Sequence, residues 1–382
     1  MMQHLSVGLI AASGKENEHR LPIHPLHFGR VEQDLRPGIF LEQGYGRHFG
    51  ISDAELAPQV GGILTRAELV ARCDVIMLPK PMVADVAELR DGQILWGWPH
   101  CVQDSEMTQL AIDKRLTLIA FEAMNLWGSD GSFKLHVLHK NNEIAGYASV
   151  LHALSLVGST GDYGRRLTAA VIGFGATARG AVTALSALGV NQVDILTQRD
   201  TTAVASPIHS ARIVQFDRGE ADVRPLEVFL EGGNETMPGF LAAHDVIVNC
   251  VLQDPLHPMM FLEDEDLPAL PSGTLVIDVS CDEGMGFGWA RPTTFEEPMF
   301  VVGDNVHYYG VDHSPSYLWN SATWEISESL LPHLSTVMAG PEAWKADDTI
   351  GRAIEIQDGM IRNPDILAFQ SRAAEYPFEI RA

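Results

Sequence analysis

The chain has 382 residues, 46% of them hydrophobic and 20% charged, with a net charge of −24 and a pI near 4.9. That length suggests two domains of roughly 100–200 residues, with core material enough to need no disulfide or metal staple. So acidic a chain lacks the basic footprint of a nucleic-acid binder. Its four cysteines (Cys73, Cys101, Cys250, Cys281) are scattered without a CxxC pair. This argues against a zinc site or a secreted disulfide framework, and for reduced thiols in the cytoplasm. The apolar run in Met1–Ile10 is too short for a signal peptide, and no stretch has the length of a membrane span. A cytoplasmic protein acting on small molecules, with no nucleic-acid or membrane partner, is expected.

In chain order, Ser6–Ile10 reads as a strand, followed by a polar turn at Ser13–Glu16 and then by Arg20, Pro22 and Pro25. Ile39–Leu41 is a second apolar run, and Ser52-Asp53 has the character of a helix cap opening residues 52–61. Asp74–Leu78, Gln93–Trp98 and Thr117–Phe121 are short runs of buried-strand type, the first two ending at Pro79-Lys80-Pro81 and Pro99-His100. Helical patterns such as Asp104–Lys114 separate them, and this alternation implies a parallel α/β sheet. Helical periodicity from Asn142 to Leu156 looks like a crossover into a second domain, with strands at Leu167–Val171, Val193–Thr197, Val246–Val248 and Leu275–Val279 and a helix at Ala178–Leu188. The segment from Trp319 to Ala382 reads mostly helical, broken by Pro332 and Pro341, and is expected to return to the first domain.

The strand-like Leu167–Ile172 runs into Gly173-Phe174-Gly175-Ala176-Thr177-Ala178, a G-x-G-x-x-A turn opening a helix. Gly173 would permit the tight turn and Gly175 the approach of a pyrophosphate. Ala178 would allow close helix–strand packing, and the helix N-terminus would supply free N–H groups for the anion. At the end of the next strand, where NAD-binding chains usually carry an acid, stand Thr197 and Gln198, neither acidic, with Arg199 beside them. Arg199 could pair a 2′-phosphate through its planar fork, which favours NADP(H). In the other reading Arg199 is a solvated loop residue and Asp200 binds the ribose of NAD(H).

Several segments outside this turn resemble the alanine dehydrogenase and saccharopine dehydrogenase superfamily. Glu18-His19-Arg20 through Pro25 resembles its "E-x-R-x-x-x-x-P" start, Lys80-Pro81 its "K-x-P" segment, and Trp98–Gln103 the "F-x-H-C-x-x-Q" pattern. Glu143–Gly146 matches "E-x-A-G", Ile277–Asp282 resembles "V-D-V-S-x-D", and Arg291–Thr294 matches "R-P-T-T". Asn249-Cys250-Val251 and Val311–Ser316 are similar to saccharopine dehydrogenase and to N5-(carboxyethyl)ornithine synthase, where alanine dehydrogenases carry other residues.

The resemblance covers nearly the whole chain. It implies Lys80 and His100 as acid/base groups at strand ends. It implies Arg20 as a carboxylate clamp, and substrate contacts from Glu143, Asp282, Asp312 and His313. Cofactor contacts would come from Gly173, Gly175, Ala176, Thr177, Ala178, Thr197, Arg199, Cys250, Val251 and Leu252. By spacing alone, Arg20 and Lys80 could be ordinary surface groups and His100 a satisfied core histidine. His19, His24 and His27 have no acid or thiol at ligand spacing, so no metal is expected.

The fold expected is α/β, with two Rossmann-like domains and parallel sheets flanking a central cleft. One would be a discontinuous substrate domain, 1–145 with 315–382, and the other a dinucleotide-binding domain, 146–314. The activity implied is an NADP(H)-dependent amino-acid dehydrogenase or opine-type synthase, joining a pyruvate-like 2-oxo acid to the amino group of an amino acid such as ornithine or lysine, in a homo-oligomer. The alternatives are an NAD-dependent deaminase of the alanine dehydrogenase kind and a non-catalytic dinucleotide sensor on the same fold.

Overall fold

A computed structural model describes residues 4–198, 211–217, 226–253 and 258–381. The chain divides into two compact units, Met1–His139 with Trp319–Ala382, and Lys140–Leu318.

In the first unit, successive strand residues point to two different cores. Val75 and Met77 join one cluster with Val7, Leu9, Trp96 and Ile119, while Ile76 and Leu78 join another with Phe40, Leu95 and Leu118. Apolar on both faces, each strand reads in sequence as an unbroken hydrophobic run, as a covered parallel sheet requires. Six parallel strands stand in the order Gly62–Leu64, Ile39–Glu42, Val7–Leu9, Val75–Leu78, Ile94–Gly97, Thr117–Ala120. Counted along the chain this is 3-2-1-4-5-6, the doubly wound arrangement, in which ligands bind beyond the carboxyl ends of the strands.

The edge beside Thr117–Ala120 is not parallel. Ile354–Gln357 adds there antiparallel and pairs with Met360–Ile361. This hairpin corrects the helical reading of the C-terminal segment. Asp358 and Gly359 both have positive φ, 53° and 78°, the conformation an Asp-Gly hairpin turn uses. Pro332 does not break its helix either, for Trp319–Ala339 runs through it. The missing N–H costs about 3 kcal/mol. Against this, Ile326, Leu330, Leu334 and Val337 form one stripe buried in the core beside Val7 and Ile39, each contributing about 1.5–3 kcal/mol. Pro341 does act as a boundary: Gly340, at φ 88°, ends one helix and Pro341 begins the next.

The second unit repeats the plan. Arg212–Asp217, Gln192–Thr197, Thr168–Ile172, Val246–Asn249, Leu275–Asp278 and Val306–Tyr309 stand side by side and parallel. Antiparallel strands extend both edges, Glu227–Leu230 with Gly233–Thr236 on one side and Met299–Val302 on the other. Both sheets are therefore parallel-rich rather than wholly parallel. Helix His139–Leu156 lies against helix Ala176–Ala187 at two glycines: a Cβ on Gly180 would fall 1.7 Å from the Glu143 carbonyl oxygen, and one on Gly146 2.0 Å from that of Thr177. Only glycine permits so close a backbone approach.

Candidate active site

Three neighbouring parallel strands of the first unit end in candidate functional side chains. Lys80 follows Val75–Leu78, His100 follows Ile94–Gly97, and Glu122 follows Thr117–Ala120. The first two strand ends converge because Gly97 has no side chain, and a Cβ there would fall 2.0 Å from the Leu78 carbonyl oxygen. Lys80 Nζ lies 3.1 Å from His100 Nε2. At that separation one nitrogen must offer a lone pair to the other's proton, so the pair is arranged for proton exchange rather than as two fixed cations.

His100 is held by its backbone. Its φ is 49°, a left-handed conformation uncommon outside glycine, and its N–H donates to Glu122 Oε1 at 2.8 Å. The same carboxylate oxygen is 3.9 Å from His100 Nδ1. Burial, and then the nearby Glu355 carboxylate, push the Glu122 carboxyl upward, against the hydrogen bond from His100 and the charge of Lys80. Glu122 Oε2 is buried without a protein partner. Glu122 belongs to none of the motifs legible in the sequence. Its signal was position, the second residue beyond a buried strand at the ligand-binding end of the sheet.

Arg20 is 5% exposed, and its guanidinium is forked onto Glu18, with Nε to Oε1 at 2.8 Å and Nη2 to Oε2 at 2.5 Å. It also lies 5.3 Å from the centroid of the Trp98 ring, two residues before His100. Glu18 thereby fixes the plane of the guanidinium expected to clamp a carboxylate, a role the motif alone did not show. His19, His24 and His27 serve in an aromatic cluster with His48, Phe49, Trp319 and Trp324. Among the described residues no group of three metal-ligating side chains comes together.

In the second unit Gly173 has φ 112°, and a Cβ on it would meet the Cys250 carbonyl oxygen at 3.1 Å. Around Gly175 a Cβ would meet nothing within 4 Å, and Gly175 begins helix Ala176–Ala187 without a side-chain cap. Open space, a left-handed glycine and free helix N–H groups at Ala176, Thr177 and Ala178 are what a dinucleotide pyrophosphate needs. The turn fits that group. Thr197 ends its strand 4% exposed; Arg199 and Asp200 lie outside the described residues. Cys250 abuts Gly173, Val251 donates its N–H to Asn249 Oδ1 at 3.1 Å, and Leu252 is 92% exposed.

The other expected substrate residues also belong to this unit. Asp312 Oδ1 is 2.6 Å from His313 Nδ1, and the buried His313 ring meets Phe295 edge-on. Burial raises the Asp282 carboxyl. Glu143 is paired with Lys140 at 2.8 Å on the surface of its helix, and is not gathered with Asp282 or Asp312 by any hydrogen bond.

A family profile described as alanine dehydrogenase/PNT, N-terminal domain, matches residues 10–145, and one described as alanine dehydrogenase/PNT, C-terminal domain, matches 160–364. The chain belongs to the alanine dehydrogenase/PNT family. It is an NAD(P)-dependent oxidoreductase acting on CH–NH or CH–NH2 donors. It is 26% identical over 329 residues to an N(5)-(carboxyethyl)ornithine synthase of Clostridium botulinum, covering 83% of this chain and 90% of that one. It is 25% identical over 345 residues to an alanine dehydrogenase of Mycobacterium tuberculosis, covering 88% of each. Among solved structures, an L-alanine dehydrogenase superposes with a TM-score of 0.73 at 19% identity over 96% of this chain and 99% of that one. A transhydrogenase from Sinorhizobium meliloti gives 0.68 at 19%, over 94% and 99%. At that identity the structural likeness shows the shared fold. No described helix is long and apolar enough to cross a membrane.

Proposed function

We propose that the protein is an NADP(H)-dependent opine-type synthase. It would condense a pyruvate-like 2-oxo acid with the amino group of an amino acid such as ornithine or lysine and reduce the product to a secondary amine. The observation that carries this reading is the Lys80–His100 pair, two nitrogens 3.1 Å apart at adjoining strand ends. Imine formation needs protons removed from the amine and delivered to the departing carbonyl oxygen, and two groups in contact can hand one proton back and forth. Lys80 would protonate the oxygen that leaves as water, and His100 would take the proton from the attacking amine. Glu122 fixes the backbone of His100, and Arg20, oriented by Glu18, holds the oxo-acid carboxylate. When bound, the nicotinamide cofactor supplies hydride to the imine carbon. Residues 140–318 would hold it at Gly173–Ala178; Arg20, Lys80 and His100 belong to the first unit, and the further substrate contacts expected from Glu143, Asp282, Asp312 and His313 belong to the second.

Support for the opine branch comes from the Asn249–Val251 and Val311–Ser316 segments and from the carboxyethylornithine synthase named among the relatives. The NADP(H) preference rests on the absence of an acid at Thr197-Gln198 and on Arg199 beyond it. The four cysteines, scattered without a CxxC pair, favour the reducing cytoplasm, where the protein would act as a homo-oligomer. The test is absorbance at 340 nm with NADPH or NADH, pyruvate and a panel of amines. Turnover needing both pyruvate and a diamino acid supports the reading, and turnover with ammonia and NADH assigns the protein to the alanine dehydrogenase kind.

A further inference from the structure

Three neighbouring strands of the second unit converge on one buried carboxylate. Asp278 ends strand Leu275–Asp278 with no exposed surface. Asn249 stands directly across from it on one side, and Tyr308 lies on the strand at the other. Asp278 Oδ1 accepts from Asn249 Nδ2 at 2.9 Å and from the Cys281 backbone N–H at 3.0 Å, and Oδ2 accepts from the Tyr308 hydroxyl at 2.9 Å. A buried carboxylate, even when satisfied, is seldom more stabilising than a packed apolar residue. Its use is better read from the segments its donors belong to.

Those segments are two loops at the carboxyl ends of the strands. Asn249, held by Asp278, accepts the Val251 N–H at 3.1 Å and so pins the loop after its strand. Cys281 belongs to the next loop and takes a left-handed φ of 44°, which its N–H bond to Asp278 helps to hold. Ser280 Oγ closes the frame by donating to the Val251 carbonyl oxygen at 2.5 Å. Behind Asn249, Gly286 leaves no slack, since a Cβ there would come 3.0 Å from Asn249 Nδ2. The first loop abuts the glycine turn, with the Cys250 carbonyl against Gly173, and the second carries Asp282.

We propose that Asp278 is a positioning residue for the dinucleotide: it fixes both loops in the conformation the cofactor meets, without touching the cofactor. Loops held in place before binding spare the ordering cost that a mobile surface would add to each association. The inference rests on the dinucleotide-binding part of the function proposed above and is independent of the amine and the oxo acid.

Titrating NADPH and NADH into the full-length protein, followed by nicotinamide fluorescence, tests it. Asp278→Ala removes both acceptor oxygens, and Kd is expected to rise by about tenfold or more. Asp278→Asn keeps one oxygen for Asn249 and Cys281 and turns an N–H toward the Tyr308 oxygen, which can accept it. Its Kd is expected within about twofold of wild type. Asn249→Ala cuts one arm only and is expected to weaken binding about threefold to tenfold; it decides the matter if Asp278→Ala does not fold. A merely structural carboxylate would lower Tm and leave the Kd of the folded protein unchanged. Unchanged affinity in Asp278→Ala, or in Asn249→Ala in its place, overturns the proposal. A wild-type protein that binds neither cofactor overturns the dinucleotide reading itself.

Discussion

Replacing Asp278 by Asn should make the protein more stable at neutral pH, by an amount that vanishes in acid. Burial raises the Asp278 carboxyl from 3.8 to about 6, against the hydrogen bonds from Cys281, Tyr308 and Asn249 that favour the anion. Between these values the native state keeps a proton that the unfolded chain has released. Stability attributable to this group is therefore complete below the lower value and falls as pH rises through the upper one. The slope is about 1.4 kcal/mol per pH unit for one proton, so roughly two units amount to about 3 kcal/mol. Asparagine resembles the protonated acid and cannot ionise. Urea unfolding of both proteins, from about pH 4.5 to about pH 8, should show curves that diverge as pH rises and run parallel above about pH 6.5, with the variant ahead by about 3 kcal/mol. Carboxylates that do not interact with Asp278 titrate alike in both proteins and cancel. A gap that does not change with pH, or a variant less stable at pH 8, would refute the reasoning.

Four further outcomes follow from the geometry. Lys80→Met and His100→Ala should each lower kcat by about 10²–10⁴ while leaving NADPH affinity, read by fluorescence titration, within about twofold; equal loss of both would remove their assignment as proton carriers. Gly175→Ala has room for its Cβ and an ordinary φ of −90°, so Tm should hold while cofactor affinity falls about tenfold or more; retained affinity would place the pyrophosphate elsewhere. Gly173→Ala, at φ 112° and 3.1 Å from the Cys250 carbonyl oxygen, should cost about 1–3 kcal/mol of stability as well as binding, measured by urea unfolding. Gly180→Ala would set a methyl 1.7 Å from the Glu143 carbonyl oxygen and should force the two helices apart at a cost of about 1–3 kcal/mol, seen as a lower Tm.

What could be read from the sequence divides along a physical line. Val75–Leu78 and Val246–Asn249 announced themselves because both faces of each strand are buried, leaving unbroken apolar runs. The glycine turn was legible because φ 112° at Gly173 favours glycine and because the G-x-G-x-x-A spacing falls between a strand and a helix. Lys80 and His100 stand out by motif and strand-end position, yet their 3.1 Å contact depends on Gly97, whose lack of a side chain carries no signal by itself. The Ile354–Ile361 hairpin was missed although Asp358-Gly359 marks its turn, because only four and two residues of strand flank it. Pro332 misled because a local rule gave way to an apolar stripe that only tertiary contact reveals. The Glu18 fork on Arg20, the Glu122 brace under His100 and the convergence on Asp278 were out of reach, since each depends on the register of separate segments.

The measurement that bears most directly on the function is NADPH oxidation at 340 nm by the purified protein, with pyruvate and a diamino acid offered singly and together. Oxidation is expected only when both are present, faster with NADPH than with NADH, and slowed about 10²–10⁴-fold by Lys80→Met. Equal oxidation with pyruvate and ammonia alone, or turnover undiminished by the loss of Lys80, would contradict this.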